Sequence, residues 1–404
     1  MNECKANKKV LFISGSLGLG HVTRDLAIAT ELRRHYPELE ISWLAAPPAA
    51  QLIETEGERL LPEAARFGNL SLDAESLSKA FRLDLVEYSY HARSTWYANV
   101  AVFQEVVRRD SYDLVIGDET YEISMALKRR PDLKKFPFVM IYDFVGLDAM
   151  SRSPFERFGV YLWNRMWARP GVADLSLFVG EIEDVPDRPF GFRLPNRRQW
   201  ARAHYAFIGY ILPFDPQDCT DRTRLRAELG YGPEPLIVCS IGGTSIGKEL
   251  LELCAQSLPF IRERVPDARM LLVCGPRLAP ETLKVSPGVE IRGYVPALYR
   301  HFAVCDLAIV QAGGASTLEL TALRRPFLYF PIQGHCEQEL GVSERLARHR
   351  AGERLVFSQT QPSSLAERAL RSLGQHVSYP PIPTDGARKA AQLIGGLLET
   401  PAHP

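Results

Sequence analysis

The sequence predicts an α/β protein made of two Rossmann-like halves, and three observations carry that expectation. Short apolar runs alternate with longer amphipathic stretches, the rhythm of strands and helices in a covered parallel sheet. The rhythm breaks near residues 213–220 and then restarts. A glycine-rich turn follows the opening strand of each half. At 404 residues the chain is too long for one typical core, which agrees with two domains.

In the first half, VLFISGS (Val10 to Ser16) reads as a buried strand, because an apolar run this short fits a sheet covered on both faces. His21 to Tyr36 reads as a helix, with Leu26, Ala29, Leu32 and Arg33 at helical spacing. EISWLAA (Glu40 to Ala46) is the next strand, and the stretch from about Ala74 to Arg109 is mostly helical. DLVIGDE (Asp113 to Glu119), FPFVMIYDF (Phe136 to Phe144) and DLSLFVG (Asp174 to Gly180) follow as strands. The run from His204 to Asp218 carries two prolines and closes the half.

The second half opens with the helical Arg222 to Gly230 and the strand Pro235 to Gly243. Met270 to Gly275, Val289 to Val295, Asp306 to Gly314 and Pro326 to Ile332 are the later strands. The expected domains are 1–213 and 214–380, with 381–404 a C-terminal helix returning to the first domain.

Composition narrows the class. The chain is 46% hydrophobic and 24% charged, ordinary for a globular protein, and Lys+Arg equals Asp+Glu at 48 each. A zero formal charge argues against a general polyanion binder, and no nucleic-acid partner is expected. Seven cysteines, Cys4, Cys219, Cys239, Cys254, Cys274, Cys305 and Cys336, show no metal-ligand spacing. With the polar start MNECKANKK, this fits a reduced cytosolic chain without a signal peptide. The longest apolar runs are too short to span a bilayer, though a chain that lies on the inner face of a membrane stays open.

One segment is unusual. Between residues 151 and 202, Phe155, Phe158, Tyr161, Trp163, Trp167, Phe190, Phe192 and Trp200 are interleaved with seven arginines. An amphipathic helix and loop packed on the core would explain it. So would the mouth of a site for an apolar acceptor, or a membrane-touching face.

Three loops carry candidate chemistry. SGSLGLGH (Ser14 to His21) joins the first strand to the first helix, and glycines 15, 18 and 20 let a ligand approach the backbone and the helix amides. It is neither a GxGxxG dinucleotide fingerprint nor a Walker A loop. By spacing alone, His21 reads as a helix cap or surface residue more readily than as a base. IGGT (Ile241 to Thr244) is a second strand–glycine turn, suited to phosphate or simply tight. In the third, Gln311 to Glu339, Gly313 and Gly314 precede Ser316 and Thr317 at a helix start. Glu319 lies one turn on, and the polar run Gly334-His335-Cys336-Glu337-Gln338 follows the next strand.

The third loop resembles the donor signature of the UDP-sugar GT-B glycosyltransferases, a group that includes MurG, the UDP-glucuronosyltransferases and the secondary-metabolite glycosyltransferases. The first loop resembles their GxGH motif. The resemblance covers both halves in order but not the aromatic segment. It implies a GT-B fold, two Rossmann-like domains facing across a cleft. It also implies that Gly313, Gly314, Ser316 and Thr317 hold a diphosphate, Glu319 the ribose, and Glu337 and Gln338 the donor sugar. Gly18, Gly20, Gly243 and Thr244 would line the phosphate side, and the backbone at Tyr294 and Val295 would take the base. His21 matches the family's catalytic base, oriented by a strand-end aspartate, here Asp118 with Glu119 beside it. The start Gln311-Ala312-Gly313 is closer to the bacterial members, and Glu337-Gln338 departs from a strict Asp-Gln pair.

The implied reaction is inverting transfer of a sugar from a nucleotide diphosphate, UDP by the family's preference, to a hydroxyl of a lipid or other small molecule. No metal and no further cofactor is expected. An imidazole, with its ordinary pKa of about 6.5, suits removal of the acceptor proton. GHVTRDLAIA also resembles the start of UDP-sugar hydrolases of nonulosonic acid biosynthesis, in which the histidine activates water. A non-catalytic nucleotide-sugar binder is a third expectation.

Overall fold

The computed structural model describes residues 7–15, 19–68, 85–150, 152–243, 245–285, 288–335 and 337–399, with the side chains of 85–92 left out. The calls on Gly18 and Thr244 lie outside the described residues, as do those on Cys4, Cys336 and the first part of the Ala74 to Arg109 stretch. The chain forms two compact units. The first runs to Pro213 and resumes at Pro383; the second contains Phe214–Ile382.

The first unit holds β1 (Lys9–Ile13), β2 (Glu40–Leu44), β3 (Arg59–Leu60), β4 (Leu114–Asp118), β5 (Phe138–Tyr142), β6 (Leu175–Val179) and β7 (Ala206–Gly209). They form one parallel sheet in the order β3-β2-β1-β4-β5-β6-β7. Successive side chains of a strand point to opposite faces, so β1 supplies both layers. Val10 and Phe12 join one core, Leu11 and Ile13 the other. Burial on both sides is why this strand reads as an unbroken apolar run.

The helix Leu19–His35 buries Val22, Ile28, Ala29 and Leu32 in the first of these layers. The helix Gly386–Glu399 adds Ala390, Ala391, Ile394 and Leu398 to the same layer. The Tyr36 hydroxyl donates to Glu399 at 2.7 Å and ties the ends of these two helices together. Phe103, Val106, Ile123, Leu127, Phe138 and Met140 fill the opposite layer.

The second unit holds β8 (Leu236–Ser240), β9 (Arg269–Val273), β10 (Glu290–Arg292), β11 (Leu307–Gln311), β12 (Phe327–Phe330) and β13 (Glu353–Arg354). Its sheet is also parallel, in the order β10-β9-β8-β11-β12-β13. The helices Lys248–Arg262 and Pro362–Ser372 cover one face, and Leu298–Val304 and Gly314–Ala322 contribute to the other.

Each sheet was built outward from its first strand in both directions. β1 lies between β2 and β4, and β8 lies between β9 and β11. At such a reversal the loops leaving the two central strands diverge and open a crevice at their carboxyl ends, which is where ligands of open α/β sheets bind.

Candidate active site

At the reversal in the first unit, Asp118 ends β4 and His21 sits in the first turn of the Leu19–His35 helix. His21 Nδ1 is 2.9 Å from Asp118 Oδ2. Arg24 lies one turn further along, so its side chain shares the face of His21. It donates to both Asp118 oxygens, from Nε at 3.0 Å and from a terminal nitrogen at 2.5 Å. Its other terminal nitrogen donates to Asp143 at 2.6 Å, just past β5. The Arg24 terminal nitrogen also lies 2.9 Å from His21 Nδ1. Both cannot direct their protons at each other; the ionised carboxylate is the stronger acceptor, so Nδ1–H donates to Asp118 and Nε2 carries the free lone pair. Gly15 leaves room for this arrangement. A Cβ there would stand 2.8 Å from the Asp118 carbonyl oxygen and 3.5 Å from His21 Nδ1.

The surrounding carboxyls divide into two kinds. Burial pushes Asp25 well up, helped by Asp118, while the Ser14 hydroxyl donates to it at 2.6 Å. Burial likewise pushes Glu119 well up, helped by its neighbour Asp143. Glu119 sits in the left-handed region at φ 51°, the kind of backbone conformation that surrounding structure must enforce. Burial also works to raise Asp118 and Asp143, but Arg24 and His21 outweigh it and hold both below the usual carboxylate range. Two ionised carboxylates therefore face one guanidinium. An imidazolium at His21 would bring the group of four to neutrality.

Beside this cluster the Tyr121 hydroxyl donates to Glu119 at 3.2 Å. Its ring packs 5.3 Å from that of Trp167 and 6.3 Å from that of Trp163, and Phe144 lies 5.3 Å from Trp167. Part of the aromatic segment is thus core, against the carboxyl cluster. Phe155, Phe158 and Phe192 instead point to solvent.

The second unit places the other candidates at the carboxyl ends of its strands. Gly242 and Gly243 follow β8, and Gly275 follows β9; a Cβ on Gly275 would stand 2.1 Å from the Gly242 carbonyl, so these loops meet backbone to backbone. Tyr294, half exposed, and Val295, buried, follow β10. Gly313 and Gly314 open the helix Gly314–Ala322, which puts its free amides at the end of β11. Ser316 is half-buried in its first turn. Thr317 is fully buried, and its hydroxyl donates to the Gly313 carbonyl at 2.8 Å, so that side chain serves the helix and not the crevice.

Glu319 has no side-chain partner among the described residues, and burial alone pushes its carboxyl up to about 8. Glu337 Oε1 lies 4.0 Å from where a Gly314 Cβ would stand. Gln338 turns inward: its oxygen accepts from the Ile332 amide at 3.0 Å, and its nitrogen donates to Gln311 at 3.1 Å. Gln311 in turn donates to the Ile246 and Ile241 carbonyls at 2.6 and 3.3 Å, locking the loop after β8 to the loop after β12. Gly20 falls within the first turn of its helix and presents backbone only.

Arg24 and Asp143 were not singled out from sequence. A basic residue one turn after His21 and an acid just past an apolar strand were the signals available.

No family model matches the chain. It is 23% identical over 307 residues to an uncharacterized glycosyltransferase of Methanopyrus kandleri, covering 75% of this chain and 81% of that one. It is 24% identical over 336 residues to a Streptomyces collinus UDP-N-acetylglucosamine--N-acetylmuramyl-(pentapeptide) pyrophosphoryl-undecaprenol N-acetylglucosamine transferase, covering 82% and 80%. The solved structure of the kitacinnamycin glycotransferase superposes with a TM-score of 0.62 at 15% identity, covering 97% of this chain and 99% of that one. The chain has the GT-B fold, the fold of that glycotransferase structure. In this chain the reversal of the first sheet is built from side chains and that of the second largely from backbone.

Proposed function

We propose that the protein transfers a sugar, with inversion, from a nucleotide diphosphate donor to a hydroxyl of a lipid or other small-molecule acceptor, with His21 as general base. The observation that carries this reading is the 2.9 Å contact of His21 Nδ1 with Asp118, which leaves Nε2 without a partner among the described residues. Nε2 takes the acceptor proton as the hydroxyl oxygen attacks the anomeric carbon and the nucleotide diphosphate departs. The imidazolium so formed is met by Asp118, and through Arg24 by Asp143, without either carboxylate moving. Arg24 acts as a positioning residue, because it holds both oxygens of Asp118.

The donor's diphosphate is assigned to the amides of the Gly314–Ala322 helix with Gly313, Gly314 and Ser316, where helix partial charge favours an anion. Those groups also meet the charge that grows on the leaving diphosphate, so the reading calls on no metal. Glu319, half-buried and without a side-chain partner among the described residues, is assigned to the ribose hydroxyls. UDP is the favoured nucleotide because a relative of similar span is named for a UDP-sugar donor. The aromatic wall of Tyr121, Phe144 and Trp167 beside the carboxyl cluster favours an acceptor with an apolar body.

His21→Ala tests the reading. With UDP-sugar and an extract-derived acceptor, turnover should fall by about 10²–10⁴-fold, the usual worth of a general base, with UDP affinity unchanged. Loss of UDP affinity together with turnover would assign His21 to donor binding instead.

A further inference from the structure

The helix Pro154–Trp167 is apolar on both of its sides. Its inner side is fixed: the Asn164 amide donates to the Leu147 and Phe190 carbonyls, each at 2.8 Å, and Trp163 and Trp167 join the aromatic wall. Its outer side carries Phe155, 85% exposed, with Phe158, Leu162 and Met166 also exposed. At 3.6 residues per turn these four fall within an arc of about 80°, opposite Asn164. Gly191 packs against the Tyr161 ring, which sets the tip of the next loop beside the ridge, and there Phe192 is 76% exposed under the Arg193 guanidinium. Single exposed apolar residues need no explanation, but five large ones on one helix face and the adjoining loop do.

The charge around the ridge is one-sided. Arg152, Arg157, Arg165 and Arg169 are exposed, and none pairs with an acid among the described residues. Glu156 is the only acid from residue 152 to 173; it is buried and accepts from the Met150 amide at 2.7 Å. A chain of zero net charge has placed four exposed arginines, and no exposed acid from residue 152 to 173, along the segment that carries Phe155 and Phe158.

We propose that this face seats the first unit on an anionic lipid surface, with Phe155, Phe158, Leu162, Met166 and Phe192 entering the interface and the arginines meeting phosphate headgroups. An amphipathic helix with aromatics on one face and cations along its flank lies in the interfacial plane in this way. Each arginine near an anionic leaflet adds a several-fold attraction that salt screens. The inference does not rest on the transfer reaction, since vesicle binding requires neither donor nor base.

The test is co-sedimentation of the full-length protein with phosphatidylcholine vesicles and with vesicles that also contain phosphatidylglycerol. Binding to the anionic vesicles should exceed binding to neutral ones by about tenfold or more and weaken with salt. Phe155→Ser with Phe158→Ser should lower it by at least about tenfold, and Arg157→Glu with Arg165→Glu and Arg169→Glu should abolish the anionic preference. Unfolding temperature and UDP affinity should hold in both sets, because every changed side chain is exposed. No vesicle binding, equal binding to both compositions, or binding that survives both sets would overturn the proposal. A dimer in light scattering that the Phe155/Phe158 variant splits, in place of vesicle binding, would overturn it too, because the ridge would then belong to a second copy.

Discussion

The two sheet reversals occupy the same topological position, and the chain has furnished them in opposite ways. The crevice of the first unit is filled with charge that satisfies itself: Arg24 holds Asp118 and Asp143, and Asp118 holds His21. The crevice of the second is lined by glycine loops and a helix start, and its half-buried acid, Glu319, has no side-chain partner among the described residues. A region that only handles protons can be completed within the folded chain. A region that binds an anion and a ribose keeps amides and an acceptor unmet until a ligand arrives.

This contrast makes opposite predictions for removing charge from the two places. Arg24→Met leaves a buried carboxylate, Asp118, and a half-buried one, Asp143, without their cation. It should lower unfolding free energy in urea by about 3–5 kcal/mol at neutral pH, and turnover should fall with it. An unchanged midpoint would mean that the first crevice is not internally completed.

Glu319→Gln should act the other way on the unliganded protein. Its folded pKa of about 8 lies above the ordinary 4.5, so its stabilising contribution is full below the ordinary value and is lost as pH rises through about 8. The amide removes that loss, and the variant should gain stability over the parent increasingly across this range. Its UDP affinity should fall by about tenfold, because a hydrogen bond to a charged acceptor is lost. In the parent, UDP binding at pH 7 should release protons as ribose hydroxyls draw the carboxylate form, seen calorimetrically as a heat that depends on buffer ionisation. A pH-independent affinity with no proton release would remove Glu319 from the ribose.

Most of the fold was legible because a parallel sheet buried on both faces writes its strands as continuous apolar runs, as in Val10–Ile13 and Leu307–Val310. The edge strands Arg59–Leu60 and Glu353–Arg354 were not, since each is two residues long and carries charge. In the candidate site, Asp118 was implied by the family resemblance, which places an aspartate at a strand end. The Arg24–Asp143 pair spans 119 residues of sequence, and only the pairing of β1 with β4 and of β4 with β5 brings it together. Thr317 and Gln338 looked like ligand groups by type. Their directions were invisible, because a helical threonine can bond back to its own turn and a glutamine can brace two loops.

The aromatic segment taught a related lesson. Trp163 and Trp167 are half-buried against Tyr121 while Phe155 and Phe158 are surface, a split that follows helix phase and not residue type.

The most direct measurement is kcat and UDP Kd for Asp118→Asn, which keeps the size of the side chain and an oxygen for Arg24 but withdraws the charge that holds Nδ1–H. A fall in kcat of about 10²–10⁴-fold, with Kd within about twofold of the parent, is the expected result. A variant that turns over at the parental rate would show that the imidazole needs no carboxylate, and His21 would then have no claim to the proton.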